Sequence, residues 1–105
     1  MKVLCIAPDS DALIALKNAA VAAEWELSPG ATSEAEAIGQ IDAERPHVLV
    51  VFGPFQRVVS LAHERFPGIR IITDRDTPGA TEVAASLEEV RGLIKDGPRP
   101  GGPVG

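Results

Sequence analysis

Two pairs of aspartates, Asp9 with Asp11 and Asp74 with Asp76, each follow a short aliphatic run. Carboxylates gathered at strand ends suit a hard cation that takes oxygen ligands. The same residues also suit helix capping or a wetted loop, the commoner use of Asp in such places. The central strand of the sheet derived below separates the two pairs, so they do not form one four-carboxylate site. Cys5 is the only cysteine, which excludes a disulfide framework or a cysteine-based metal site within one chain. A cysteine phosphatase loop needs Arg six residues past the cysteine, and Asp11 stands there. Dinucleotide and P-loop sites need glycines after the first strand, so that backbone N–H groups can approach phosphate. Ala7-Pro8-Asp9-Ser10-Asp11 offers a proline without a donor and two repelling carboxylates instead. His47 and His63 have no identifiable carboxylate or serine partner. The sequence therefore predicts no catalytic, cofactor-binding or metal-ligating residue, no cofactor and no enzyme, with Cys5 as a small buried hydrophobe.

The elements that position these groups follow from hydrophobic patterning. Val48-Leu49-Val50-Val51-Phe52 is the long unbroken apolar run, bounded by Pro46 and by Gly53-Pro54. A strand that is apolar on both faces has both faces covered, as in the centre of a parallel sheet flanked by helices. Residues 3–7 form a second buried strand stopped by Pro8. A helix capped by Asp9 or Ser10 should follow to about residue 23, burying Leu13, Leu16, Ala20 and Val21. Glu24-Trp25-Glu26-Leu27 alternates like an edge strand with Trp25 in the core. Ser33-Glu34-Ala35-Glu36 has capping-box spacing and opens a helix lined by Ala35, Ile38 and Ile41, which Pro46 ends. A third helix is expected over 55–66 and a fourth strand over 69–73. Residues 80–95 admit either one helix or a strand over 81–85 followed by a helix. The capping-box spacing of Ser86-Leu87-Glu88-Glu89 favours the second, with Leu87, Val90, Leu93 and Ile94 as the last apolar stripe.

The predicted fold is a flavodoxin-like three-layer α/β sandwich over residues 1–96, a parallel sheet in order 2-1-3-4-5 with a short last edge strand. Residues 97–105, almost wholly Gly and Pro, are expected to be a disordered tail. Ten Lys and Arg against fifteen Asp and Glu give a net charge of −5, which argues against nucleic acid or an anionic membrane as partner. The N-terminal apolar run is too short for a signal peptide or a membrane span, and the expected location is the cytoplasm.

The order of elements resembles the receiver domain of bacterial two-component response regulators across about residues 2–95. The similarity is carried by Ala31-Thr32-Ser33-Glu34-Ala35-Glu36-Ala37-Ile38 leading to Glu44-Arg45-Pro46-His47-Val48-Leu49-Val50-Val51. Arg65-Phe66-Pro67-Gly68-Ile69-Arg70-Ile71-Ile72-Thr73 and Gly79-Ala80 with Ser86-Leu87-Glu88-Glu89-Val90 extend it. The resemblance puts the phosphoacceptor position on Phe52 and the metal-holding acidic pair on Ala7 and Pro8, with Asp9 the nearest acid. No lysine lies within 81–85, the segment between strands four and five is short for a helix, and Thr73 matches the switch hydroxyl. Acceptor oxygen, cation ligands and positive stabiliser are thus all replaced.

A second resemblance is to the B components of the sugar phosphotransferase system. Cys5-Ile6-Ala7-Pro8-Asp9-Ser10 and Val51-Phe52-Gly53-Pro54 are similar to their phosphocysteine loop and third-strand end. Cys5 lies early for that role, and Pro8 and Asp9 spoil the anion cradle. The reading that follows is a pseudo-receiver, a non-catalytic signalling or protein-interaction module. The alternatives are a cysteine phosphocarrier and a small-ligand binder. The candidate strand-end crevice comprises Asp9, Ser10, Asp11, Phe52, Gly53, Thr73 and Asp74. The candidate interface, for a protein partner or a homodimer, comprises Val83, Ala84, Ala85, Arg91 and Gly92, where small residues leave an open sheet edge.

Overall fold

A computed structural model describes residues 2–21 and 25–96; the tail expected over 97–105 lies outside them. Five parallel strands form one sheet in the order β2-β1-β3-β4-β5. They are β1 (Lys2–Ile6), β2 (Glu26–Leu27), β3 (Val48–Val51), β4 (Arg70–Thr73) and β5 (Glu82–Val83). Helices α1 (Ser10–Ala19), α2 (Glu34–Glu44) and α3 (Gln56–Arg65) connect the first four strands, and α4 (Leu87–Asp96) follows β5. This is the flavodoxin-like architecture the patterning predicts.

Strand alternation divides the core into two layers. Val3, Cys5, Ala7, Val48, Val50 and Ile72 face α1 and α4, meeting Leu16, Ala19, Ala20, Val90, Leu93 and Ile94. Leu4, Ile6, Leu49, Val51 and Ile71 face α2 and α3, meeting Ala37, Ile41, Val58, Val59 and Ala62. Consecutive residues of β1 and β3 thus enter opposite layers, which is why these runs show no polar alternation.

All three expected helix caps form, the last with Ser86 Oγ accepting the Glu89 N–H at 3.2 Å. Asp9 Oδ1 accepts the Ala12 N–H at 2.8 Å, and Ser33 Oγ accepts the Glu36 N–H at 3.2 Å. The Glu36 carboxylate accepts from the backbone N–H of Thr32, one residue before the cap. Several expectations need correction. Helix α1 ends at Ala19, because the Ala20 N–H is shared between the carbonyls of Leu16 and Lys17 and Val21 is 61% exposed. Of the strand expected over 24–27 only Glu26–Leu27 pairs, and Glu24 lies outside the described residues. Trp25 is half-buried and packs against the α1/α4 layer.

On α2 the inward residues are Ala37, Ile38 and Ile41, while Ala35 is exposed. A start at Glu34 sets the buried arc one position away from Ala35, whose single methyl is too small to fix the phase. In the last stripe Leu87 is 38% exposed, because the first turn of α4 stands beyond the end of β5. The alternative of one helix over 80–95 is removed by the parallel pairing of Ile72 with Glu82 and of Thr73 with Val83. The β4–β5 connection over 74–81 holds no helix. No helix among the described residues is long and apolar enough to cross a membrane.

Candidate functional site

The carboxyl ends of β1, β3 and β4 bring the crevice residues to one end of the sheet, and most of their polar groups are already engaged there. Asp9 caps α1, while Ser10 and Asp11 lie exposed in its first turn. Phe52 donates its N–H to the Ile6 carbonyl at 2.9 Å, and its half-buried ring packs on the α1/α4 layer. An aromatic ring at this position contributes packing and no nucleophilic oxygen.

Gly53 turns the chain with φ of +106°, a left-handed conformation that side chains disfavour. A Cβ there would lie 3.2 Å from Phe55 and 3.3 Å from the Pro8 ring. Pro8 therefore presses on the β3–α3 turn and occupies the space between the ends of β1 and β3. The Gly53 N–H donates to Asp74 Oδ2 at 3.3 Å. Arg75 completes the arrangement, its Nε and Nη2 donating to Asp74 Oδ1 and Oδ2 at 3.1 and 3.0 Å. That carboxylate in turn pushes the Arg75 guanidinium above its ordinary pKa. Thr73 is buried, and its hydroxyl donates to the Arg75 carbonyl at 2.6 Å, an acceptor shared with the Thr77 hydroxyl at 3.0 Å.

Gly53, Thr73, Asp74 and Arg75 are thus tied to one another by hydrogen bonds within the chain, while Asp9, Ser10 and Asp11 face solvent. Among the described residues no three His, Cys, Asp or Glu side chains are grouped to hold a metal ion. Pro8 against Gly53, Arg75 and Thr77 lie outside the residues expected from sequence, and the adjacency of Asp74 and Arg75 is the one sequence signal for any of them.

Cys5, in the middle of β1, has no solvent exposure, and burial pushes its thiol up to about 12, with Lys17 opposing weakly. A phosphocarrier thiol must be reachable and partly ionised; this one is neither. His47 lies at the other end of the sheet, where its backbone N–H donates to the Lys2 carbonyl and its Nδ1 accepts the Lys2 N–H at 3.2 Å. His63 is exposed on α3.

The edge formed by β5 and α4 has a different character. Val83 is 47% exposed, Ala85 and Arg91 are exposed, and a Cβ added to Gly92 would meet open space. Ala84 must be withdrawn from the candidate interface: it is fully buried in the α1/α4 layer, held by its N–H to the Thr73 carbonyl at 2.8 Å. A groove of about 300 Å³ runs between strand and helix, lined by Glu82, Val83, Glu89 and Leu93. Beneath it, Arg70 from β4 grips both oxygens of Glu82 and donates to the Leu93 carbonyl at 2.9 Å. At about 100° per residue, Arg91 projects from the flank of α4 opposite Glu89.

The order 2-1-3-4-5 with helices on both faces is shared with several solved structures. The response regulator domain of Thermotoga maritima CheB superposes with a TM-score of 0.68 at 14% identity, covering 80% of this chain and 76% of that one. The isolated receiver domain of Salmonella enterica RcsB gives 0.59 at 17% identity, over 70% of this chain and 58% of that one. Another structure of the RcsB response regulator, from Salmonella typhimurium, gives 0.64 at 14% identity, over 80% and 51%. The fold is that of a receiver domain. No protein-family model and no curated protein matches the sequence. Within the receiver fold, the end of β3 that carries Phe52 is the end where Pro8, Gly53, Asp74 and Arg75 close on one another.

Proposed function

We propose that this chain is a non-catalytic, receiver-like interaction module whose binding state is independent of aspartyl phosphorylation. The observation that carries the reading is Phe52 at the end of β3, with Ala7 and Pro8 at the end of β1 and the Asp74 carboxylate tied to Arg75 and to the Gly53 N–H. Phosphoryl transfer needs an acceptor oxygen, a cation and a positive stabiliser, and those residues supply none of them together. With a net charge of −5, a protein partner fits better than nucleic acid or an anionic membrane. The surface for that partner is the β5–α4 edge, where Val83, Ala85 and Gly92 leave little bulk to block a neighbour. The working compartment is the cytoplasm, where a lone reduced cysteine is ordinary.

The test is to incubate the protein with acetyl phosphate and magnesium and weigh it intact. Unchanged mass is expected; a stoichiometric, acid-labile phosphate overturns the reading.

A further inference from the structure

We infer that the β5–α4 groove receives a cationic, partly apolar peptide segment of another protein, in preference to a second copy of this chain. The inference rests on the interaction-module reading and names the chemistry of its partner. The groove has an apolar floor, Val83 and Leu93, between two carboxylates, Glu82 and Glu89. Glu82 is neutralised from within by Arg70, whose side chain is only 11% exposed. Glu89 is different. It is exposed, and one oxygen accepts the Ala85 N–H at 2.8 Å. Among the described residues its other oxygen has no hydrogen-bond partner and no ion pair reaches it.

Among the described residues no cation lines the groove: Arg91 stands on the other flank of α4, and Arg70 binds Glu82 and the Leu93 carbonyl from beneath. A two-fold contact between copies through this groove would place both copies' Glu89 in one interface, on molecules that each carry a net charge of −5. A segment with Lys or Arg beside an aliphatic residue instead covers Val83 and Leu93 and sets its cation against Glu89. The two-residue length of β5 makes this a groove contact, since so short an edge offers little backbone for strand addition.

The probe is an end-capped hexapeptide of alternating lysine and valine, titrated into isotope-labelled protein and followed by amide chemical shifts. The same hexapeptide with glutamate for lysine serves as control. Shifts confined to residues 82–93 are expected with the lysine peptide and none with the glutamate peptide. Glu89→Gln, which keeps the acceptor for the Ala85 N–H, should weaken binding about threefold to fivefold. Glu88→Gln changes the net charge equally outside the groove and should leave binding unaltered, whereas Val83→Lys should abolish it. Equal response to both peptides, shifts scattered over the surface, or equal effects of the two glutamine variants overturn the inference. A concentration-dependent dimer that Val83→Lys dissociates also overturns it, while leaving association through this edge intact. A phosphorylated product in the mass experiment would strike the underlying reading alone.

Discussion

Arg70 at the start of β4 holds Glu82 of β5 through two parallel hydrogen bonds, Nε to Oε1 and Nη2 to Oε2, with the two side chains 11% and 17% exposed. The same Nη2 reaches the Leu93 carbonyl, so one guanidinium ties the last strand and the last helix to the sheet. Removing one partner strands the other charge out of water. Glu82→Ala is therefore expected to cost about 3 kcal/mol in urea unfolding. The double change Arg70→Met with Glu82→Leu should recover at least half of that loss, because no buried charge remains. A double variant no more stable than Glu82→Ala would show that the pair does more than cancel charge.

Cys5 sets an alkaline limit. Its folded value of about 12 lies above the ordinary 9.0, so the folded chain binds the proton more tightly than the unfolded one. The corresponding stability is complete below pH 9 and is lost as pH rises toward 12, with a slope of up to about 1.4 kcal/mol per pH unit. The sequence has no tyrosine to titrate in the same window. Urea midpoints measured across pH 8 to 11 should fall less steeply for Cys5→Val than for the parent chain; identical slopes would refute the assignment.

Gly53 carries the turn at the end of β3. Gly53→Ala places a methyl 3.2 Å from Phe55 and 3.3 Å from Pro8 at a φ of +106°. The expected cost is about 2 kcal/mol, strain and crowding together, read as a lowered melting temperature. Gly39→Ala, in open space within α2, is the contrast and should be neutral or mildly stabilising.

Restoring a carboxylate at the strand end should not restore phosphorylation. Phe52→Asp loses the packing of the ring on the α1/α4 layer and still faces Pro8, with Asp74 bound to Arg75. Intact mass after acetyl phosphate and magnesium treatment is expected to stay unchanged. A gain of one phosphate in this variant would mean that the other residues of the site suffice.

The central strands were legible because Val48 to Val51 and Val3 to Ala7 need no partner to reveal themselves: every residue is apolar, and burial on two faces is the one arrangement that uses them all. The caps at Asp9 and Ser33 were legible because the side-chain oxygen and the N–H that donates to it are three residues apart in sequence. Helix phase was not. Ala35 and Ala37 are the same residue type, and only packing against Leu4 and Leu49 in the same layer selects Ala37. Ala84 is the same case: a small side chain at the end of a strand carries no sign of which way it faces. The meeting of Pro8, Gly53 and Asp74 was illegible because they are far apart along the chain and come together only through the strand order.

The sheet has four- and five-residue strands in the middle and two-residue strands at both rims. Amide hydrogens of β1 and β3 are flanked by ladders on both sides and covered by both core layers, so they exchange with solvent only when the whole domain opens. Those of β2 and β5 need only a local opening of a few hydrogen bonds. At β5 that opening must also release Arg70, which places the edge proposed to meet a partner in a separate, electrostatically latched unit of exchange. Because that latch is largely withdrawn from water, salt screens it little, so protection at this edge should lie below that of β1 and β3 and change little with ionic strength.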